Sequence, residues 1–143
     1  MEIVREFIST VFIAKDGKVL LTWNKKCSIW VPIGGHIERN ELPCDSVIRE
    51  AKEETGLDIE IFSIKKGKSA NIAQPAQINL DHVREDHKHI NLMYFATVKG
   101  GQQTEKTDDG MELRWFSRED LEKENLMPNI KEWALEAIRQ IGL

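Results

Sequence analysis

The alternation of apolar and polar positions predicts six strands and three helices along this chain. The strands are expected at residues 4–14, 19–23, 29–33, 57–64, 90–98 and 112–116. Asp16-Gly17 separates the first two and is typical of a hairpin turn, so these strands should pair. Gly34-Gly35 is expected to end the third strand. Ile90, Leu92 and Tyr94 should share one face of the fifth, with His89 and Asn91 on the other.

The three helices are marked by their end signals as much as by their period. The first is predicted over Leu42–Thr55, with Gly56 as its C-terminal cap. Ser117 is suited to cap a short helix through Leu121, with Asp120 as its acidic partner. Pro128 is placed to open the last helix, whose apolar stripe is Ile130, Trp133, Ala134, Ala137, Ile138 and Ile141.

Residues 65–86 show no clear period and contain Gly67 and Pro75. The sequence therefore predicts a loop of about 20 residues here, a length that in compact domains is usually functional or mobile. The remaining pattern is mixed α+β. With no repeat or linker in view, residues 1–143 are expected to form a single domain.

Composition narrows the class of protein. Hydrophobic residues make up 41% and charged residues 31% of 143 residues, which indicates a globular chain. No apolar run is long enough to cross a bilayer, and the first residues do not resemble a signal peptide. Cys27 and Cys44 are expected to be free thiols, which favours a cytoplasmic location. The net charge of −4 argues against attraction to nucleic acid or an anionic membrane.

Three carboxylates on the first predicted helix are the strongest chemical signal. At 100° per residue, Glu50, Glu53 and Glu54 fall within about 100° of one another, beside the apolar arc of the helix. Like charges this close repel unless a cation lies among them. Magnesium suits such a cluster because it prefers hard oxygen ligands and keeps water molecules that phosphates can replace.

An acidic helix face is more often simply solvated, but the spacing around this one is specific. Gly35, Glu41, Arg49-Glu50, Glu53-Glu54 and Gly56-Leu57 fit the pattern G-x5-E-x7-R-E-U-x-E-E-x-G-U, where U is apolar. Seven specified residues match by chance on the order of once in a million chains of this length. Residues 35–57 therefore closely resemble the Nudix box of the Nudix hydrolase family.

The resemblance implies the Nudix fold, an α/β/α sandwich with a mixed sheet between helices. It also implies metal ligation by Glu53 and Glu54, with Glu50 as a ligand or general base. Arg49 and Glu41 match positions that orient the carboxylates through an ion pair. Gly35 matches the residue that lets the chain pass close to the metal. A homodimer is compatible with the family.

The activity implied is hydrolysis of a diphosphate linkage in a nucleoside diphosphate joined to another moiety. The cofactor would be Mg²⁺, with Mn²⁺ as a substitute, since metal ions neutralise phosphate charge and activate water. The main alternative is a non-catalytic Nudix module that senses a nucleotide, although such modules typically lack box glutamates. A prenyl diphosphate isomerase would need a catalytic cysteine, for which only Cys27 precedes the box.

Several further residues are candidates whose roles the sequence leaves open. His36 and His89 are expected to lie near the substrate, although a solvated loop histidine is an equal alternative for His36. His82, His87 and His89, with Asp81 and Asp86, match no standard zinc spacing. Glu105, Asp108, Asp109 and Glu112 occupy the region where many family relatives supply another acid, as ligand or base, and the box does not say which one, if any, does so here.

The remaining expectations concern the tryptophans and the substrate. Trp23 and Trp30 are more consistent with core packing than with base stacking, and Trp115 and Trp133 also read as core residues. The substrate is expected to be a small nucleotide-type molecule. Features of enzymes specific for ADP-ribose or coenzyme A are not matched, which leaves a nucleoside triphosphate or a nucleotide sugar.

Overall fold

The computed structural model describes residues 1–63 and 72–142. Its strands are β1 (Val4–Lys15), β2 (Lys18–Asn24), β3 (Ile29–Val31), β4 (Ile33–His36), β5 (Leu57–Phe62), β6 (Gln77–Arg84), β7 (His87–Gly101) and β8 (Leu113–Ser117). Its helices are α1 (Pro43–Thr55), α2 (Arg118–Lys123) and α3 (Pro128–Ile141). No helix of these residues is long and apolar enough to cross a membrane.

The strands form one mixed sheet around a parallel pair. Strand β1 runs parallel to β7 over ten paired positions, from Val4 opposite His87 to Ile13 opposite Ala96. The main order is β3-β2-β1-β7-β5, while β4 pairs with β1, β6 with β7 and β8 with β2, all antiparallel. Strand β4 thus lies next to the same segment of β1 that faces β7 on its other edge.

Both faces of the sheet are covered by helices. Leu121 of α2 and Ile130, Ala134 and Ile138 of α3 pack with Phe12 and Phe95 on one face. Cys44, Val47 and Ala51 of α1 pack with Val11 and Tyr94 on the other. The architecture is α+β, a mixed sheet between helices, as the box resemblance implies.

The predicted end signals are confirmed. Asp16 and Gly17 both have positive φ, 51° and 73°, which is the turn geometry that matches the twist of a hairpin. Gly56 ends α1 in the left-handed region at φ 78°. Ser117 and Asp120 form a reciprocal capping box at the start of α2, which extends to Lys123 rather than ending at Leu121.

The predicted loop over 65–86 is wrong for its second half. Residues 77–84 are strand β6, paired with β7, while residues 64–71 lie outside the described part of the chain, together with the predicted strand end at Ile64. In β6 the apolar residues point outward: Ile78 and Leu80 are 61% and 48% exposed. Asn79 and Asp81 are half-buried instead. In β6 the usual alternation, with apolar residues inward and polar residues outward, is therefore reversed.

The glycine pair does not end the extended chain either. Gly34 and Gly35 lie within β4 and pair with Thr10 and Ser9 of β1. A Cβ at Gly34 would lie 2.2 Å from the Ser9 carbonyl oxygen, so only glycine allows this close pairing. The last predicted strand also shifts by one residue, because β8 begins at Leu113.

The tryptophans pack as expected for core residues. Trp30 is buried and contacts both Trp23 and Phe116 edge-on. Trp133 packs on the same cluster, and Trp115 borders the opposite one.

Both cysteines are free, Cys27 exposed and Cys44 buried on the core side of α1. A thiol reagent is therefore expected to modify one cysteine quickly in the native protein and two after denaturation. Mass spectrometry should find the fast modification on Cys27. Equal rates at the two thiols in the native state would contradict the packing of Cys44.

Candidate active site

The site is built where α1 packs against the glycine pair of β4. The backbone N–H of Gly34 donates to Oε2 of Glu54 at 3.2 Å. A Cβ at Gly35 would lie 2.8 Å from Oε1 of Glu50, so the carboxylate rests directly against the strand. Glycine at both positions therefore lets two acidic side chains of α1 approach the backbone of β4.

Arg49 donates hydrogen bonds to three acids around the helix, Glu41, Glu50 and Glu53. Its Nε and Nη2 donate to the two oxygens of Glu41 at 2.7 and 3.1 Å, a bidentate pair. Its Nη1 lies 3.2 Å from Glu50 Oε1 and 3.0 Å from Glu53 Oε2. The hydrogen bond from Arg49 holds the pKa of Glu41 below its usual range, and the same bond raises the pKa of Arg49. The ion pair expected between Arg49 and Glu41 is thus present.

Glu54 is the most perturbed acid of the group. Burial is the largest cause, followed by the charge of Glu50, and together they raise the pKa of Glu54 to about 8. The hydrogen bond from Gly34 acts in the opposite direction but is weaker. Two carboxyl groups are held together here, so one of them carries a proton near neutral pH unless a cation compensates.

The three glutamates of α1, which are Glu50, Glu53 and Glu54, occupy one edge of the helix but differ in surroundings. Glu50 is 17% exposed and contacts Arg49, while Glu53 is 49% exposed and its carboxylate is turned toward the same guanidinium. Among the described residues, the three do not close into one group of metal donors within 4.8 Å. Helical spacing predicted the shared edge, but not that Arg49 would lie between Glu50 and Glu53.

One loop acid is distinguished from its neighbours. The charge of Asp108 raises the pKa of Glu54, whereas Glu105, Asp109 and Glu112 are not among the causes of that shift. The loop is fixed by buried Thr107, whose hydroxyl accepts from Met111 N at 2.9 Å. Of the four acids that the sequence left open, Asp108 is therefore the one whose charge acts on Glu54.

The histidines assemble differently from the zinc grouping considered from the sequence. His82 is exposed on β6, where it pairs with Lys88, and it makes none of the described ring contacts with the other histidines. His36 and His89 meet edge-on, with ring centroids 5.2 Å apart, and His87 contacts His89 at 5.1 Å. Burial lowers the pKa of His89, with smaller effects in the same direction from His36 and His87.

A chain of hydrogen-bonded polar side chains, with Thr10 and Asn91 buried, runs across β1, β7 and β6 beside the histidines. Thr10 Oγ1 donates to Asn91 Oδ1 at 3.0 Å, and Asn91 Nδ2 donates to Asp81 Oδ2 at 2.9 Å. Asn79 Nδ2 donates to the other oxygen of Asp81. Asn91 lies on the face of β7 that is turned toward α3, as expected from the alternation along the strand. Leu92 and Tyr94 lie on the other face, toward α1. Sequence analysis missed Thr10 and Asn79, and it considered Asp81 only as part of a zinc grouping. The reversed alternation of residues 77–81 could have indicated the two residues on β6.

Comparisons with known proteins agree on one family. The NUDIX domain model matches residues 6–138. The uncharacterized Nudix hydrolase YvcI of Bacillus subtilis (strain 168) is 30% identical over 85% of this chain and 72% of its own length. A NUDIX-family hydrolase of Clostridium perfringens is 34% identical, covering 98% of this chain and all of that one, with a TM-score of 0.86. A NUDIX hydrolase from Nitrosomonas europaea shares the fold at 17% identity, covering 96% and 90%, with a TM-score of 0.72.

Proposed function

We propose a mechanism and a substrate class for this chain, which belongs to the Nudix hydrolase family and is an enzyme that cleaves pyrophosphate bonds in nucleoside diphosphate derivatives. The proposal is that hydrolysis depends on Mg²⁺, replaceable by Mn²⁺, held by Glu50, Glu53 and Glu54. The substrate would be a nucleoside triphosphate or a nucleotide sugar. Gly35, His36 and His89 would border it.

The close pairing of Glu50 with Glu54 against Gly34-Gly35 carries this proposal. Their carboxylates are hard oxygen donors, which are the ligands that Mg²⁺ prefers. Burial first, and then the charge of Glu50, raises the pKa of Glu54, so without a cation the two acids do not both ionise readily. A divalent ion fits this donor set. When bound, it would neutralise the diphosphate and activate the attacking water.

The positioning of the carboxylates and the transfer of the proton would be performed by side chains of this chain. Arg49 would hold Glu50 and Glu53 in position through its contacts of 3.2 and 3.0 Å, while Glu41 fixes the guanidinium from the other side. Glu50 would serve as a ligand or take the proton of the attacking water. Water adds to one phosphorus, and the bridging oxygen leaves with the other phosphate.

The side chains beside β4 support the proposed substrate class. His36 follows Gly35 directly, and the polar chain from Thr10 to Asp81 continues from the histidines. Hydroxyl, amide and carboxylate groups of this kind can recognise the polar edges of a nucleoside or a sugar.

A screen of nucleoside triphosphates and nucleotide sugars with Mg²⁺ tests the proposal. Products would be identified by chromatography, and released phosphate measured after coupling to a phosphatase where the product is a monophosphate. We expect cleavage within the diphosphate linkage of at least one compound. Turnover of none, with the fold intact, would favour the nucleotide-sensing alternative.

Asp108 gives a prediction with a matched control next to it. Asp108→Asn should lower turnover about 10-fold, the effect expected of an acid that supports the ligands rather than one that is essential. Asp109→Asn removes the same charge from the exposed neighbouring position and should leave turnover unchanged. Steady-state rates of both variants at saturating Mg²⁺ check this. Equal effects would show that only the overall charge of the loop matters.

Four broader expectations are part of the proposal. Residues 1–143 would form one domain, since both core clusters share one sheet. The two free thiols favour the reducing cytoplasm. A homodimer remains an expectation from the family resemblance, which light scattering of the purified protein would test. Binding of nucleic acid is not expected.

A further inference from the structure

A second group of metal-type donors lies on the opposite face of β4 from Glu50. Glu6, His36 and His89 each offer one ligand atom, and these atoms all lie within 4.8 Å of one another. The group assembles from three neighbouring strands, because His36 of β4 pairs beside Ile8 of β1, and Glu6 of β1 pairs directly with His89 of β7. Sheet register, rather than a flexible loop, therefore positions all three donors.

The two groups are separated by the strand itself. Gly35 faces Glu50, and successive residues of a strand face opposite sides, so His36 points away from α1. The residues on the His36 side include Glu6, Thr10 and Phe12, the last of which packs under α3. An ion held by the histidines would therefore not share ligands with one held by the box glutamates.

His87 lies close to the carboxylate of this second group. Its Nε2 lies 2.6 Å from Glu6 Oε1, while the other oxygen of Glu6 lies 3.7 Å from His36 Nε2. The His87 Nε2 is buried, and within the described residues it makes no hydrogen bond of acceptable direction despite this short distance. Ligating carboxylates in metal sites are commonly hydrogen-bonded by a neighbouring side chain, and His87 is near enough to serve Glu6 in this way.

We propose that Glu6, His36 and His89 form a site for a Zn²⁺-class transition-metal ion, supported by His87. Two imidazoles and one carboxylate suit such ions, whereas Mg²⁺ prefers oxygen ligands alone. Bonds of about 2.0–2.1 Å place tetrahedral ligand atoms about 3.4 Å apart, so small side-chain rotations close the group. His36 is 60% exposed, which leaves the fourth position open to water or a substrate oxygen. This proposal rests on the donor geometry and does not require the hydrolase mechanism.

Titration with Co²⁺ in excess Mg²⁺ tests the site, with visible absorption and binding stoichiometry as readouts. Wild type should bind one Co²⁺ with the strong absorption of a four- or five-coordinate nitrogen and oxygen site, and Zn²⁺ should displace it. His89→Gln and Glu6→Gln should each weaken binding about 10-fold or more. His82→Gln removes an exposed histidine of β6 and should bind as wild type does.

Thermal melting of the metal-free variants separates ligand loss from misfolding, and two ligand variants keep the test usable if one fails to fold. The proposal is overturned if wild type shows only weak octahedral absorption. It is also overturned if His89→Gln and Glu6→Gln, both folded, bind Co²⁺ as wild type does, or if His82→Gln loses the ion. Because nucleotide hydrolysis is not a readout, failure here leaves the Mg²⁺ mechanism untouched.

Discussion

Replacing Glu50 with Gln is expected to lower turnover at least about 10²-fold, the scale of a lost general base or of a disturbed ligand carboxylate. Glu50 lies against Gly35 and contacts Arg49 at 3.2 Å, so its carboxylate has a fixed position beside Glu54. The variant should fold. Gln has nearly the same shape, and removing one charge relieves repulsion with Glu54.

The metal affinity of Glu50→Gln decides between its two proposed roles. If the affinity stays close to that of wild type while turnover is lost, Glu50 is the proton acceptor; if both fall together, it is a ligand. Glu60→Gln, which neutralises an exposed acid of β5, is the matched control and should behave as wild type. Near-normal turnover of folded Glu50→Gln would remove α1 from the active site.

Removing divalent metal should abolish turnover, and adding Mg²⁺ or Mn²⁺ should restore it. The pH dependence of metal binding provides a more specific signature. With the pKa of Glu54 at about 8 in the metal-free protein, a cation must displace a proton at lower pH. Affinity for Mg²⁺ should therefore increase as the pH rises toward about 8 and level off above it. Calorimetry in buffers of different ionisation enthalpy would detect the released proton.

The stability of the metal-free protein should change in the opposite direction. The pKa of Glu54 is raised from 4.5 to about 8 on folding, so the folded state favours the protonated acid. Below pH 4.5 Glu54 does not lower the free energy of unfolding. As the pH rises through about 8, its ionisation lowers the free energy of unfolding progressively. Melting temperatures should fall over this window, and Mg²⁺ should reverse the fall. Glu54→Gln should flatten both profiles, and unchanged profiles in that variant would assign the proton to another group.

The position of α1 could be predicted from the sequence because helix signals depend on local spacing. Leu42–Thr55 and Gly56 carry helix signals within a few residues of each other, and the structure places α1 at Pro43–Thr55. The bidentate contact of Arg49 with Glu41 also spans only eight positions. Local spacing does not specify side-chain rotamers, however. The turn of Glu53 toward Arg49 therefore required the structure.

Contacts between distant strands could not be predicted from the sequence, because they depend on how strands far apart along the chain pair. Strand β6 was missed because Ile78 and Leu80 face outward while Asn79 and Asp81 hydrogen-bond inward. The meeting of Glu6 with His89 depends on the register of a parallel strand pair separated by more than 70 residues. A shift of that register by one residue would turn one of the two side chains to the other face.

The most direct test of the central claim is Mn²⁺ binding and substrate turnover, measured on the same preparations of wild type and Glu53→Gln. Glu53 is the box acid whose carboxylate contacts Arg49 at 3.0 Å, and neutralising it opens no cavity because it is 49% exposed. If the helix edge holds the catalytic cation, the variant should bind Mn²⁺ more weakly, lose turnover in parallel and melt at the wild-type temperature. Unchanged affinity and turnover would contradict the account.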